Sequence, residues 1–138
     1  MTPLAVEARF CSLIALGDSL LQRLDLRTGK AECTMVFDFG RLLKAEGASA
    51  FDPEAVYEPA CLSFVGVRSV SFDGAVYQLN STVVGHGAEP GPVAGFVEFY
   101  FDLTGGSDAE FFMARMKIVA RDFRFGPVQE GNSGVPIG

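Results

Sequence analysis

Few residues in this chain of 138 have types that do chemistry at neutral pH. There is one histidine, His86, and three widely spaced cysteines, Cys11, Cys33 and Cys61. A serine, Ser19, follows Gly17-Asp18, and an acid–tyrosine–acid series stands at Glu98, Tyr100 and Asp102. A serine becomes a nucleophile only beside a base, and the single imidazole is the natural one. On a strand, residues two apart share a face and stand about 7 Å apart. Glu98 and Asp102 on one such face have the chemistry for acid–base work on a glycoside or for holding a divalent cation. Arginine and lysine at 115, 117 and 121 offer the alternative of cross-strand charge pairs that finish a solvated sheet face. A lone histidine without a Cys-x-x-Cys pair does not make a zinc site, so neither metal nor cofactor is expected. The cysteines read as buried, reduced thiols.

Gly17-Asp18-Ser19-Leu20 is similar to the nucleophile block of the GDSL hydrolases, which implies Ser19 as the nucleophile and His86 as its base. In that family the block follows a strand and opens a helix, and an Asp-x-x-His completes the triad. Here a helical pattern precedes Gly17, a strand pattern follows Ser19, and Val83 stands three residues before His86. The expected role of the tetrapeptide is therefore a helix stop and a strand start, with the serine hydrolase kept as a remote alternative.

The elements that must position these residues are mostly strands. Thr2-Pro3 is a helix start, and Val6, Phe10, Leu13, Ile14 and Gly17 recur at helical spacing, which predicts a helix over Pro3–Leu16 ended by Gly17. Leu20, Leu24 and Leu26 alternate with Arg23, Asp25 and Arg27; a turn at Thr28-Gly29-Lys30 leads to a second alternating run over 31–39. Gly40–Pro59 reads as a surface excursion, and 61–72 as one strand bulged at Gly66. Asp73-Gly74 predicts a hairpin whose return strand runs over 75–83. The breaker-rich series Gly85-His86-Gly87-Ala88-Glu89-Pro90-Gly91-Pro92 predicts a loop exposing His86. Residues 95–103 and 112–125 form the closing pair, with a Ser107-x-x-Glu110 capping box between them. The expected fold is α+β, an N-terminal amphipathic helix packed on a mostly antiparallel sheet of about six strands built from hairpins. One domain spans 1–125, and 126–138 is a tail.

Phe37, Phe39, Phe64, Phe72, Phe99 and Phe101 are placed for the core side of that sheet. Phe123 and Phe125 fall in phase with Arg115 and Lys117, which puts two aromatic rings on the outer face as a contact seam, such as that of a homodimer. A register shift that returns both rings inward is the alternative.

Seventeen acidic against eleven basic residues give a net charge of −6, which opposes a sequence-independent grip on nucleic acid. No lysine or arginine occurs from Ser69 to Ala114. An acidic surface suits a protein partner with a basic one. No apolar run is long enough for a membrane span, and the N-terminus lacks a signal-peptide pattern, so a cytoplasmic location is expected. The segments 59–70, 101–106 and 117–126, with their Leu62-Ser63-Phe64-Val65-Gly66-Val67 strand and Lys117-to-Gly126 run, resemble small bacterial proteins of unknown function. They are also similar in pattern to immunity-type proteins of bacterial toxin systems. That resemblance implies a non-enzymatic cytoplasmic interaction module. The residues' own placement, on the acidic strand face, the Phe123/Phe125 edge and the 85–92 loop, makes Glu98, Tyr100, Asp102, Phe123, Phe125 and His86 the candidate binding residues. A small-ligand binder with a site near 85–92, lined by Tyr77, Tyr100 or His86, is the alternative.

Overall fold

A computed structural model describes residues 2–43, 53–73, 81–105 and 112–128. The expected hairpin turn after Asp73, most of its return strand, Tyr77, the capping box and residues 129–138 lie outside them.

The helix α1 runs over Pro3–Leu13, with the Thr2 hydroxyl accepting from the Ala5 N–H at 3.3 Å and proline at the first position. It ends a turn earlier than its apolar stripe suggested. Ile14–Ala15 leaves it as a short strand, β1, paired with Leu42 and Arg41. Gly17 thus ends no helix. It lies in the turn Leu16–Ser19, which the Ser19 N–H closes on the Leu16 carbonyl at 3.0 Å, with Asp18 at φ +68°, a conformation Asp tolerates better than most residues.

Among the described residues ten strands follow in antiparallel ladders: β2 (Leu21–Arg27), β3 (Glu32–Phe37), β4 (Gly40–Leu43), β5 (Pro53–Tyr57), β6 (Ala60–Val65), β7 (Ser69–Asp73), β8 (Thr82–Pro90), β9 (Val97–Gly105), β10 (Phe112–Ala120) and β11 (Asp122–Pro127). They form three sheets, ordered β11-β6-β3-β2, β7-β10-β9-β8 and β1-β4-β5. The class is α+β with antiparallel sheets. The single sheet of about six strands is replaced by three sheets, for reasons visible in the chain.

Two runs that read as single strands are bent between sheets. One breaks at Gly66, φ +63°, and passes from β6 to β7; the other breaks at Arg121 and passes from β10 to β11. The breaks lie side by side, since the Arg121 N–H bonds to the Val65 carbonyl and the Arg68 N–H to the Val119 carbonyl. Bends of this kind let strands turn a corner between packed sheets. At the opposite edge Leu20 bridges Thr82, and the Leu21 N–H donates to the Ser81 carbonyl at 2.9 Å. The surface excursion contains β4 and β5, and the 85–92 loop is largely strand β8. The described part of the strand expected to return from Asp73 belongs to β8, at the far edge of the sheet from β7.

The two four-stranded sheets face each other through Phe64 on one side and Phe99 and Phe101 on the other, with ring centroids 4.7 and 6.1 Å apart. Phe10 of α1 inserts between them, 5.0 Å from Phe99 and 5.2 Å from Phe123. Tilted and edge-to-face rings at these separations gain energy beyond the area they bury. Of the six phenylalanines assigned to the core, Phe37, Phe64, Phe99 and Phe101 are fully buried. Phe39 follows β3 instead, half-buried beneath the Arg41 guanidinium at 4.8 Å, and Phe72 near the end of edge strand β7 is 39% exposed.

Candidate functional site

Ser19 and His86 meet at one backbone residue, Leu16. Ser19 is fully buried and its hydroxyl donates to the Leu16 carbonyl at 2.5 Å. The Leu16 N–H in turn donates to His86 Nε2 at 3.1 Å. Both groups that chemistry would use are committed: the serine proton to a carbonyl, the imidazole lone pair to an amide. With Nε2 accepting, a neutral ring carries its proton on Nδ1, a buried atom with no hydrogen-bond partner. His86 does not sit in an exposed loop. It lies opposite Phe101 in the β8–β9 ladder, on the face that packs against Phe10 at 5.9 Å. Burial pushes its pKa below the ordinary histidine range, because the charged form is the one desolvation penalises.

Glu98, Tyr100 and Asp102 do share the outer face of β9, as alternation required, and β10 meets them with opposite charge. Arg115 pairs with Asp102 in register and holds it with two bonds, Nε to Oδ1 at 2.7 Å and Nη2 to Oδ2 at 3.0 Å. Its guanidinium also stacks on the Tyr100 ring at 4.5 Å. Lys117 reaches across to Asp73 on β7 at 2.8 Å. Tyr100 lies over Gly87, where a Cβ would stand 2.5 Å from the phenol oxygen. Glu98 faces Glu89 directly across the ladder. Its pKa is raised by partial burial and then by the hydrogen bond to Glu89, against the opposing pull of Lys117. Carboxylates and cations of this face are spent largely on one another. Among the described residues no group of three or more His, Cys, Asp or Glu is arranged to hold a metal ion.

Phe123 and Phe125 are not an exposed seam. The corner at Arg121 shifts the phase of the strand, so that Phe123 is buried opposite Phe64 and under the Arg9 guanidinium at 5.0 Å. Phe125 is half-buried, its ring 5.6 Å from Tyr57. They line a cleft of about 390 Å³ with Leu13, Leu42 and Arg124. Sequence reasoning missed β5. Its signal was present in the alternation of Glu54, Val56 and Glu58, which are exposed, with Ala55 and Tyr57, which are half-buried.

Two of the cysteines are buried as expected. Burial pushes the Cys33 thiol up to about 12 and the Cys61 thiol up to about 11. Cys11, on α1, is exposed instead, its thiol donating to the Ala88 carbonyl of β8 at 3.7 Å. Among the described residues no helix is long and apolar enough to cross a membrane.

No family model matches this chain, and no curated protein and no solved structure matches it either.

Proposed function

We propose that this chain is a non-enzymatic interaction module of the cytoplasm, akin in role to immunity-type proteins, whose surface binds another protein with a basic face. The observation that carries this reading is the commitment of Ser19 and His86 to the Leu16 backbone. The two residues best suited to covalent or acid–base chemistry hold a turn together instead. Arg115, Asp102, Lys117 and Asp73 likewise neutralise each other, as charges on an ordinary solvated sheet face do. What remains for function is surface, and the net charge of −6 favours encounter with a cationic partner.

The test is native capture from the source cell's lysate with the tagged chain, followed by light scattering on the eluted species. A stoichiometric heterocomplex is expected. A chain that elutes alone, with a cleaved or transformed small molecule in its presence, would overturn the reading.

A second reading, a small-ligand binder, is favoured by one feature. The start of α1 and the turn after β8 border an open cleft of about 360 Å³ lined by Pro3, Leu4, Glu7, Pro90, Val93 and Phe96. It is mostly apolar and lies next to the region expected to hold such a site, but neither Tyr100 nor His86 lines it.

A further inference from the structure

We infer that the outer edge of β5 is the docking edge for an extended, basic segment of the partner, which would join the β1-β4-β5 sheet as a fourth strand. This rests on the interaction-module reading and names the surface and the partner's chemistry. Among the described residues nothing pairs with that edge, since β5 closes the order of its sheet. A strand in that position turns alternate N–H and C=O groups outward, a template for another chain.

The side chains say which chain. Glu54, Val56 and Glu58 are exposed, and Val56 is 45% exposed. Val56 lies in register with Arg41, and with Asp38, Phe39, Arg41 and Glu58 it lines a cleft of about 400 Å³ along this face. Asp38 is engaged with the Leu20 and Phe39 N–H groups at 2.7 and 2.9 Å, and the Arg41 guanidinium lies over the Phe39 ring. Glu54 and Glu58 supply the net charge of the edge. Natural edge strands use charges, prolines and bulges against unwanted pairing. β5 has Pro53 and a register shift at its start, which leaves residues 54–58 as the open part of the edge, and there the flanking charges are acidic, which repels acidic strands and admits basic ones.

The same charges argue against a second copy of this chain. A two-fold antiparallel pairing centred on Val56 would set each Glu54 opposite a Glu58, and like charges directly opposite destabilise a ladder. A segment with lysine or arginine at alternate positions around an apolar residue meets the opposite condition. Its cations face Glu54 and Glu58 while its backbone completes the ladder.

The probe is an acetylated, amidated heptapeptide alternating lysine and valine, titrated into the isotope-labelled full chain and followed through backbone amide resonances. Shifts concentrated at residues 54–58 are expected, weakening by about tenfold in apparent affinity in the E54K/E58K variant, as two exposed charge pairs reversed together allow. The variant's amide spectrum, unchanged away from β5, establishes that it folds. A glutamate-for-lysine peptide should give no shifts. Shifts scattered elsewhere, or equal binding by the variant, would overturn the assignment. Native capture separates the two proposals: a partner retained equally by the wild type and E54K/E58K overturns the β5 edge and leaves the module reading standing.

Discussion

His86 Nε2 accepts the Leu16 N–H at 3.1 Å, and this bond fastens strand β8 to the turn that connects β1 with β2. The ring packs edge-on against Phe10 at 5.9 Å, so helix, turn and sheet meet at one side chain. A buried imidazole with its acceptor nitrogen occupied is a structural part. Truncating it to alanine leaves an amide unsatisfied and a void beside Phe10. H86A should cost about 2–4 kcal/mol, combining the lost bond with the cavity. Chemical denaturation of the two proteins measures it.

The same residue gives stability a pH dependence. Its folded pKa lies below the unfolded value of about 6.5, because burial disfavours the imidazolium. The unfolded chain therefore binds more protons between the two values, and stability must rise with pH across that window. Lowering the pH from 7.5 to 5.5 should depress the thermal midpoint of the wild type, and the slope should flatten in a His86→Gln variant. Glu98 works in the opposite sense. Its folded pKa is raised, so its contribution is present below the ordinary glutamate range and lost as pH rises through the raised value. The two effects oppose one another, and a Glu98→Gln variant separates the glutamate contribution from the histidine slope.

Ser19 should be chemically silent. Its hydroxyl is buried and donated to the Leu16 carbonyl, and the histidine lone pair is used elsewhere. A fluorophosphonate probe should leave the native chain unlabelled as judged by intact mass. S19A should lose about 1 kcal/mol of stability, the ordinary contribution of one hydrogen bond. Labelling that disappears in S19A would restore the hydrolase reading.

Gly87 and Tyr100 make a testable pair. A Cβ at Gly87 would meet the phenol oxygen at 2.5 Å, so G87A must displace the ring from its place beneath Arg115. Alanine in a strand is otherwise better than glycine by about 0.5–1 kcal/mol. G87A should therefore destabilise the wild type by about 1–2 kcal/mol and become neutral or stabilising in a Y100A background. A double-mutant cycle on denaturation midpoints reads the coupling.

Thiol exposure separates the three cysteines. Cys11 is exposed and should react with an aromatic disulfide reagent in the native state. Cys33 and Cys61, held near 12 and 11, carry almost no thiolate at pH 8 and should react only on unfolding.

Much of this architecture was legible in local pattern, and the failures share a cause. The helix start at Thr2-Pro3, the β2–β3 hairpin, and the alternation of β9 and β10 follow from caps, turns and period two, and the Arg115–Asp102 pair follows from register. Of the other two cations expected against β9, Lys117 pairs with Asp73 of β7 and Arg121 lies over the Phe96 ring at the corner. Local pattern does not report where a strand leaves its sheet. Gly66 was visible as an irregularity, but Arg121, an ordinary residue by type, turns the second corner, and the resulting change of phase is what buries Phe123. The bulge between Leu21 and Arg23 has the same effect: it carries Leu21 inward, where an unbroken period would have placed Leu20. Glycines misled differently. Gly85 and Gly87 read as loop residues, yet they sit in β8 because Asp102 and Tyr100 cross over them. His86 was visible as the chain's only imidazole, but its inward aim follows from a strand that glycines concealed.

Hydrogen exchange on the chain alone and within its captured complex tests the central claim most directly. Protection is expected along residues 54–58, with the amides of Leu16 and Ser19 and the β8 segment around His86 unchanged. Protection centred on Leu16, Ser19 and His86, with residues 54–58 exchanging as in the free chain, would contradict it.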